Sequence, residues 1–195
     1  MASLRHNASP QDGYLDAARA CILDVGWRRT TLTEVARRAG VSRMTIYRAW
    51  PDMGRLLGDL MTREWVGIAA ATRVAALDTT TPAGIAAAAL STVRALRDNE
   101  LFVRIVELDP DLMLPYLLSR RGRSQEALIE ILTAEIESGQ ASGAIRPGDA
   151  VLMARSLTLA AHGFVFSALT MVDAGISLED LDAEYARLVT GLLAP

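Results

Sequence analysis

The sequence has little that would support a disulfide, a metal centre or a β-sheet. Its 195 residues include one cysteine, Cys21, which excludes a disulfide within the chain and a zinc site built on cysteines. Aromatic residues make up 5% and there are 7 prolines, whereas an all-β sandwich needs more β-branched, aromatic and turn residues. Alanine, the best helix former, occurs 32 times. The composition predicts a helical protein, and 51% hydrophobic residues suffice to bury a core.

Signals for export, membrane insertion and cofactor binding are also missing. The segment Met1–Asp12 contains no apolar run, so it does not resemble a signal peptide. The one long apolar stretch, Val151–Val172, is interrupted by Arg155 and His162, which favours a buried helix over a membrane span. We therefore expect a soluble, cytoplasmic protein that carries no metal or cofactor.

Positive charge is concentrated near the N-terminus, and all of it comes from arginine, since the chain has no lysine. Residues 1–55 contain 9 arginines and 5 acidic residues, whereas residues 56–195 contain 11 arginines and 18 acidic residues. Between Arg28 and Arg55, 7 arginines accompany only Glu34 and Asp52. A basic module on an acidic body indicates a polyanionic partner for the module, although charge alone also fits a solvated face.

Hydrophobic periodicity and capping signals predict an all-α fold of about nine helices, with no strand of useful length. We expect a disordered tail at residues 1–10, a helix-turn-helix domain at 11–57, and a dimerisation and effector-binding domain at 58–195. The predicted helices are Leu15 to Val25 with Gly26 as its stop, 32–39 opened by a Thr31–Glu34 capping box, 43–49 capped by Ser42, 52–76, 82–97 capped by Thr81, 99–108, 123–138, 149–172 capped by Asp149, and 178–193 capped by Ser177. A further segment spans 111–119, and a loop spans 139–148.

Residues 31–50 have the pattern of a helix-turn-helix. The Ala39-Gly40-Val41 turn separates two short helices, and the second is too short to be stable unless Ile46 and Trp50 pack against the rest of the domain. Its opposite face is then free to enter a major groove. Here Arg43 can pair with guanine, Thr45 can bind a phosphate or contact a thymine methyl, and Tyr47 and Arg48 can reach phosphates. The predicted DNA-binding residues are Thr31, Thr33, Ser42, Arg43, Met44, Thr45, Tyr47, Arg48 and Arg55.

The segment from Thr31 to Pro51, TLTEVARRAGVSRMTIYRAWP, resembles the DNA-binding segment of the tetracycline-repressor (TetR) family of bacterial regulators. The likeness covers about residues 12–57. It implies a homodimeric regulator, usually a repressor, that binds a palindromic operator and responds to a small apolar effector held in the C-terminal domain. One position departs from the family pattern, because Met53 stands where the family usually has a phosphate-contacting lysine. Arg55 is the candidate replacement.

Two seams in the last long helices predict dimerisation. Small residues recur at helical spacing in the 149–172 helix, and larger apolar residues recur in the final helix, a period that suits a four-helix bundle made by two chains. Both seams also fit packing within one monomer. The predicted interface residues are Ser156, Ala160, Gly163, Ser167, Leu181, Tyr185 and Leu188.

Effector-binding residues are harder to assign, because aromatic residues at helical spacing also fit an ordinary core. His162 lies in the most apolar helix and needs a hydrogen-bond partner there, either a ligand or a neighbouring side chain. The predicted pocket residues are Trp65, Phe102, Glu107, Met113, Tyr116, His162 and Phe166, with Phe164 as a further candidate.

Two other classes of function have to be compared with DNA binding. An enzyme is disfavoured, because the chain has no phosphate-binding loop or metalloprotease motif, and Cys21 lies near an apolar helix face. The acidic cluster Glu107, Asp109 and Asp111 could bind a divalent ion, although it fits a helix end better. The second alternative is a helix-turn-helix module that contacts an acidic protein instead of DNA.

Overall fold

The computed structural model describes residues 9–76 and 78–195, and these residues form ten α-helices and no strand. The predicted all-α class is therefore confirmed, with one helix more than expected. The helices are α1 Pro10–Val25, α2 Leu32–Arg38, α3 Arg43–Ala49, α4 Met53–Ala75, α5 Pro82–Arg97, α6 Glu100–Leu108, α7 Leu114–Leu118, α8 Arg123–Ser142, α9 Ala150–Phe166 and α10 Leu178–Leu193. Short 3-10 helices lie at Trp27–Arg29, Pro110–Leu112 and Ala168–Met171.

Most helices begin where a capping side chain was predicted. The side chains of Ser42, Thr81 and Asp149 accept hydrogen bonds from the first turns of α3, α5 and α9. Ser177 and Asp180 form a complete capping box at α10. These side chains satisfy backbone N–H groups that have no partner within the helix, which is why the sequence marks these boundaries clearly.

Two predicted features of the N-terminal region differ in the structure. Helix α1 begins at Pro10, because Ser9 and Asp12 form a capping box ahead of the apolar stripe, so these residues are not part of a disordered tail. The rest of the predicted tail, residues 1–8, lies outside the described residues. At α2 only half of the expected capping box forms: Thr31 accepts from the Glu34 N–H, while the Glu34 carboxylate binds Arg37.

Two boundaries in the C-terminal region also differ from the prediction. Helix α8 continues through Gly139 to Ser142, and the missing side chain of Gly139 leaves room on the helix for the Ile145 side chain and the Thr80 carbonyl. Gly143, at φ +79°, then ends the helix. Helix α9 ends at Phe166, and the predicted remainder up to Val172 forms a 3-10 turn instead.

The chain divides into two compact units, which we call the head and the body. The head comprises the described residues up to Met61 together with Glu100–Leu114, and the body comprises Thr62–Asn99 and Pro115–Pro195. The predicted boundary at residue 57 lies close to the end of the first head segment. The inclusion of α6 in the head was not expected from chain order.

Each unit has its own apolar core. In the head, α1 packs against α2 and α6, and α2 packs against α3. In the body, α5 packs against α9 and α10, and α8 packs against α9. Buried head residues include Leu15, Ala18, Ile22, Leu32, Val35, Ile46, Trp50, Leu56, Leu101 and Ile105. The body core includes Ile85, Val93, Leu132, Ile136, Leu157, Tyr185, Val189 and Leu193.

Candidate nucleic-acid interface

Helices α2 and α3 form the predicted helix-turn-helix, and Gly40 makes the sharp turn between them. Gly40 has φ +68°, a conformation that L-residues with a side chain rarely adopt. Its N–H bonds the Arg37 carbonyl at 3.3 Å, and the Val41 N–H bonds the Ala36 carbonyl at 3.0 Å. This pair of bonds is a Schellman motif, which satisfies the last carbonyls of α2 and lets the chain turn at once into α3.

The inner face of α3 is anchored by two buried side chains, as predicted. Ile46 is 0% exposed and Trp50 is 2% exposed. The Trp50 indole N–H donates to Asp59 Oδ2 at 2.6 Å, and the ring meets Tyr14 edge-on at 6.4 Å between centroids. Sequence reasoning missed Asp59, although the need of a buried indole N–H for an acceptor could have drawn attention to the first turns of α4.

The outer face of α3 presents polar and flexible side chains to solvent. Arg43 and Arg48 are exposed, as are Met44 and Tyr47. Thr45 is partly buried, and its hydroxyl lies 2.9 Å from Ser42 Oγ. Both sides of the predicted pattern are therefore present: an apolar face holds α3 in place, and a face with two guanidinium groups is accessible to a partner.

The other predicted DNA-binding residues lie at the starts of α2 and α4. Thr31 is exposed and caps α2, and Thr33 is partly buried in its first turn. Arg55 is exposed in the first turn of α4, where its N–H bonds Asp52 Oδ1 at 2.8 Å. Met53 is partly buried beside it. The guanidinium of Arg55 is thus accessible close to the position of the missing family lysine.

Ion pairs divide the seven arginines between residues 28 and 55 into two groups. Arg28 binds Asp109 and Asp111, Arg37 binds Glu34, and Arg38 binds Asp24. Within the described residues no carboxylate pairs with the second group, which consists of Arg29, Arg43, Arg48 and Arg55. Most of the carboxylates come from outside this stretch of sequence, so counting charges along the chain overestimated the positive charge that is open to a partner.

Two pKa shifts in the head follow from an ion pair and from burial. The Arg37 guanidinium holds the pKa of the Glu34 carboxyl below its usual range. Burial raises the pKa of the Cys21 thiol, which is enclosed on α1. A protonated, enclosed thiol is an inert core group, in agreement with the sequence interpretation.

The predicted effector-binding residues are divided between the two units. Phe102 and Met113 are buried in the head, and Glu107 is exposed there. Trp65, Tyr116, His162 and Phe166 belong to the body. The body therefore contains the larger share of the predicted set.

A hydrogen-bond network links two of the predicted body residues through Gln125, which the sequence analysis missed. Gln125 Oε1 accepts from the Gly122 N–H at 2.7 Å, which fixes the orientation of the amide. Its Nε2 then donates to the Tyr116 carbonyl at 3.1 Å and lies 3.2 Å from His162 Nε2. Neutral His162 therefore accepts at Nε2 and carries its proton on Nδ1. Burial lowers the pKa of His162, which favours this neutral form.

The predicted dimer residues are mostly open to solvent, with one clear exception. Ser156, Gly163, Ser167 and Leu188 are exposed, and Ala160 and Leu181 are partly buried. Tyr185 is 1% exposed and packs on Phe164 at 4.6 Å between ring centroids. Tyr185 does not lie on the surface as its assignment to a dimer interface requires, because it is enclosed in the body core, where α10 packs against α5 and α9.

Other features bear on the alternatives that the sequence left open. Asp109 and Asp111 both accept from Arg28, so two of the three acidic residues near the end of α6 serve an ion pair in the head. No three potential metal ligands are grouped anywhere in the described ranges 9–76 and 78–195. None of the helices in these ranges is both long and apolar enough to cross a bilayer.

Comparisons with known proteins agree with this geometry. The family model of bacterial regulatory proteins of the tetR family matches residues 15–60. An uncharacterized HTH-type transcriptional regulator of Mycobacterium bovis is 34% identical over 194 residues, which cover 99% of this chain and 100% of the relative.

Solved structures show the same fold. The transcriptional repressor QsdR of R. erythropolis, from the TetR family, superposes with a TM-score of 0.71 at 16% identity over 94% of each chain. The regulator FadR from Bacillus subtilis, in complex with stearoyl-CoA, has a TM-score of 0.63 at 17% identity and covers 93% of this chain and 98% of its own. The full-length relative, the matched helix-turn-helix and the shared fold show that this chain belongs to the TetR family of DNA-binding, helix-turn-helix transcriptional regulators.

Proposed function

We propose that this regulator is a homodimeric repressor that binds a palindromic operator through α3 and is released or modulated by a small apolar effector bound in the C-terminal domain. The observation that carries the proposal is the outer face of α3. Arg43 and Arg48 lie exposed there, without a carboxylate partner among the described residues, on a helix whose other face is locked by Ile46 and Trp50.

The contacts on this face suit a DNA major groove. Arg43 is the first residue of α3, and the N-terminal residues of a recognition helix are those that reach base edges. Its guanidinium can donate to both O6 and N7 of guanine. Arg48, at the other end of α3, and Arg55, at the start of α4, suit contacts with phosphates, which position the protein without selecting sequence.

Dimerisation is supported by an exposed apolar face on the last two long helices. Leu152 and Leu159 on α9 are 62% and 72% exposed, and Leu188 on α10 is 57% exposed. Exposed small residues, Ser156 and Gly163, lie on α9 and permit another helix to approach closely. An apolar surface of this kind on a folded chain indicates a protein partner, and a second copy provides the two recognition helices that a palindrome requires.

Effector binding and repression rest on the family and on one feature of the body. Among the neighbours, QsdR is a repressor and one FadR structure holds stearoyl-CoA. In this chain, the Tyr116–Gln125–His162 network joins hydrogen-bonding groups to the aromatic ring of Phe166, which lies 6.4 Å from the His162 ring. Aromatic walls with a few polar groups are typical of small-molecule sites.

The alternative is that the arginine face contacts an acidic protein. A DNA complex is distinguished by its salt dependence, because each phosphate that the protein neutralises releases counterions. Each such contact steepens the slope of log affinity against log salt concentration by about 0.9. An acidic protein would not select a base sequence, so sequence preference and salt slope together separate the two functions.

The test is selection of bound sequences from random double-stranded DNA by the full-length protein at low ionic strength, after any bound small molecules have been removed. We expect an inverted repeat, with half-sites about one helical turn apart. Affinity for the selected site should then be measured across a salt series. If no sequence is enriched over competitor DNA, the operator function is wrong. If an unrepeated site is enriched, only the palindrome and the dimer are wrong.

Effector action is tested separately on the preformed protein–DNA complex. Small apolar compounds are titrated in, with stearoyl-CoA as one probe, and release of DNA is followed by fluorescence anisotropy. If the compound binds in the body beside His162, His162→Leu should change the compound concentration that is needed to release DNA. The affinity for DNA in the absence of compound should stay unchanged. An effect of compound that is identical in the wild type and in this variant would remove His162 from the site.

A further inference from the structure

The head includes a segment that lies outside the helix-turn-helix in sequence. Residues Glu100–Leu114 belong to the same compact unit as α1 to α3, although the chain on either side of them belongs to the body. The family match at residues 15–60 does not include this segment. Its acidic end, just after α6, contacts the turn that connects α1 to α2.

Asp109 makes the central contacts. It is 3% exposed, and its Oδ2 accepts the Trp27 backbone N–H at 3.1 Å while its Oδ1 pairs with Arg28 Nε at 3.1 Å. Arg28 Nη2 reaches on to Asp111 Oδ2 at 2.8 Å, but the Asp111 side chain is 71% exposed. Because Asp109 is enclosed, we expect its hydrogen bonds to be strong and its loss to leave the partly buried Trp27 N–H without its acceptor.

The backbone of this turn is adapted to the contact. Gly26 has φ +82°, and a Cβ at this position would lie 3.3 Å from Leu108 Cδ1 and 3.7 Å from Asp109 Oδ2. The buried hydroxyl of Thr30 donates to the Gly26 carbonyl at 2.8 Å. Both ends of the turn are therefore fixed, and Thr31, the cap of α2, follows directly.

We propose that Asp109 is a positioning residue for DNA binding: from the end of α6 it holds the Trp27–Arg29 turn, and through that turn it sets where α2 and the recognition helix begin. Arg28 and Arg29 are both exposed, but Arg28 is engaged as the partner of Asp109, whereas no carboxylate among the described residues pairs with Arg29. We therefore expect Arg28 not to contact phosphate. The inference rests on the proposed recognition of DNA by α3, and it makes residues 100–114 part of the DNA-binding unit.

The test uses full-length Asp109→Asn, with Asp111→Asn as the matched control on the exposed partner of the same arginine. Asparagine has nearly the same shape but carries no charge for Arg28. We expect Asp109→Asn to lower the DNA affinity of the folded protein about tenfold and Asp111→Asn to lower it by less than about twofold. Amide hydrogen exchange over residues 27–34 should accelerate in Asp109→Asn alone, because the turn opens more often.

The salt dependence separates positioning from direct contact. Neither Asp109→Asn nor Arg28→Gln should change the slope of log affinity against log salt concentration. If Arg28 bound a phosphate, its replacement would make this slope shallower by about 0.9. Because Arg28 is exposed, its replacement leaves no cavity. Arg28→Gln therefore tests the contact between Asp109 and Arg28 even if Asp109→Asn folds poorly. When Arg28→Gln and Asp109→Asn are combined, the two introduced amides can hydrogen-bond each other, and most of the lost affinity should return.

Three results would overturn the assignment: unchanged affinity and exchange in Asp109→Asn, a salt slope that falls in Arg28→Gln, or equal losses in the Asp109 and Asp111 variants. If wild-type protein binds no selected DNA, the proposed operator function fails, but the exchange measurement still decides whether Asp109 fixes the turn. If wild-type protein binds and the variants bind equally well, only this inference fails.

Discussion

The outer face of α3 in the head and the contact between α5 and α10 in the body use arginine in opposite ways. In the head, Arg43, Arg48 and Arg55 are exposed, and no carboxylate among the described residues neutralises them. In the body, Arg97 is nearly enclosed and binds Asp182 at 2.6 Å. A charge that pairs within its own unit stabilises the fold, while an unpaired exposed charge is available to a partner. The difference between these two sites therefore lies in where their charges are satisfied, which the net charge of the chain does not reveal.

The largest effect should come from breaking a body pair. Asp182 is 3% exposed and accepts from both Arg94 and Arg97, so Asp182→Ala leaves the enclosed Arg97 guanidinium without its carboxylate. We expect the free energy of unfolding to fall by about 3–5 kcal/mol, measured by urea denaturation. Glu184→Ala is the control, because Glu184 pairs with Arg187 on the exposed surface. Equal midpoints for the two variants would contradict the structural role of the body pair.

A second prediction concerns the exposed face of α9. A Cβ at the exposed Gly163 would meet no atom within 4 Å, so we expect Gly163→Leu to leave the monomer intact but to obstruct a second chain. We expect monomers by sedimentation and a loss of about a hundredfold in affinity for a two-half-site operator, because the second head no longer binds intramolecularly. Gly67→Leu is the matched control: Gly67 is exposed on α4 with equally open surroundings. A dimeric Gly163→Leu would place the interface elsewhere.

Loss of an unpaired head arginine should leave the fold intact and change DNA recognition. Arg43→Ala should relax the choice of base at one operator position, at a cost of about 1–3 kcal/mol in discrimination. Arg48→Ala should instead weaken all sequences alike and reduce the salt slope by about 0.9. Arg37→Ala is the control, since Arg37 is paired with Glu34 and should leave base preference as it is. Binding of every DNA as before by Arg43→Ala would remove Arg43 from the reading role.

The distance in sequence between interacting residues explains which parts of the molecule the sequence predicts. The helix-turn-helix was predictable because its signals are local: Ser42 caps its own helix, Gly40 supports its own turn, and Ile46 and Trp50 repeat at helical spacing. Likewise, the starts of α5 and α10 were marked by capping residues in their own first turns. These features require no knowledge of distant segments, so composition and spacing were enough for the fold class and for both faces of α3.

Contacts between distant segments were not predictable. Asp109 holds Arg28 and Gln125 holds His162, yet in both pairs the partner carries no local mark of its role. The burial of Tyr185 was not predictable for the same reason, since its helical stripe fits an interface as well as a core, and only the packing of α10 against α5 and α9 decides between them. The pairing of arginines likewise depends on tertiary contacts, so the charge of a segment overestimates what its surface offers.

The smallest effect tests the neutral histidine of the body. Burial lowers the pKa of His162 below its ordinary value near 6.5, so the unfolded chain binds a proton in a pH range where the folded chain does not. The free energy of unfolding should therefore rise with pH across the interval between the lowered pKa and about 6.5, with a slope of at most about 1.4 kcal/mol per pH unit. Protonation would also set an N–H of His162 against the amide N–H of Gln125, whose orientation the Gly122 contact fixes.

His162→Gln should remove this part of the pH dependence, whereas His6→Gln, which replaces the other histidine of the sequence, serves as the control. The measurement is a series of urea titrations between about pH 5 and pH 7, the range in which an imidazole titrates. The exposed carboxyls with lowered pKa, such as Asp180 and Glu184, titrate below that range, so the difference between the two variants isolates the imidazole. An unchanged slope in His162→Gln would mean that His162 is solvated in the folded chain and that the Gln125 contact does not hold it neutral.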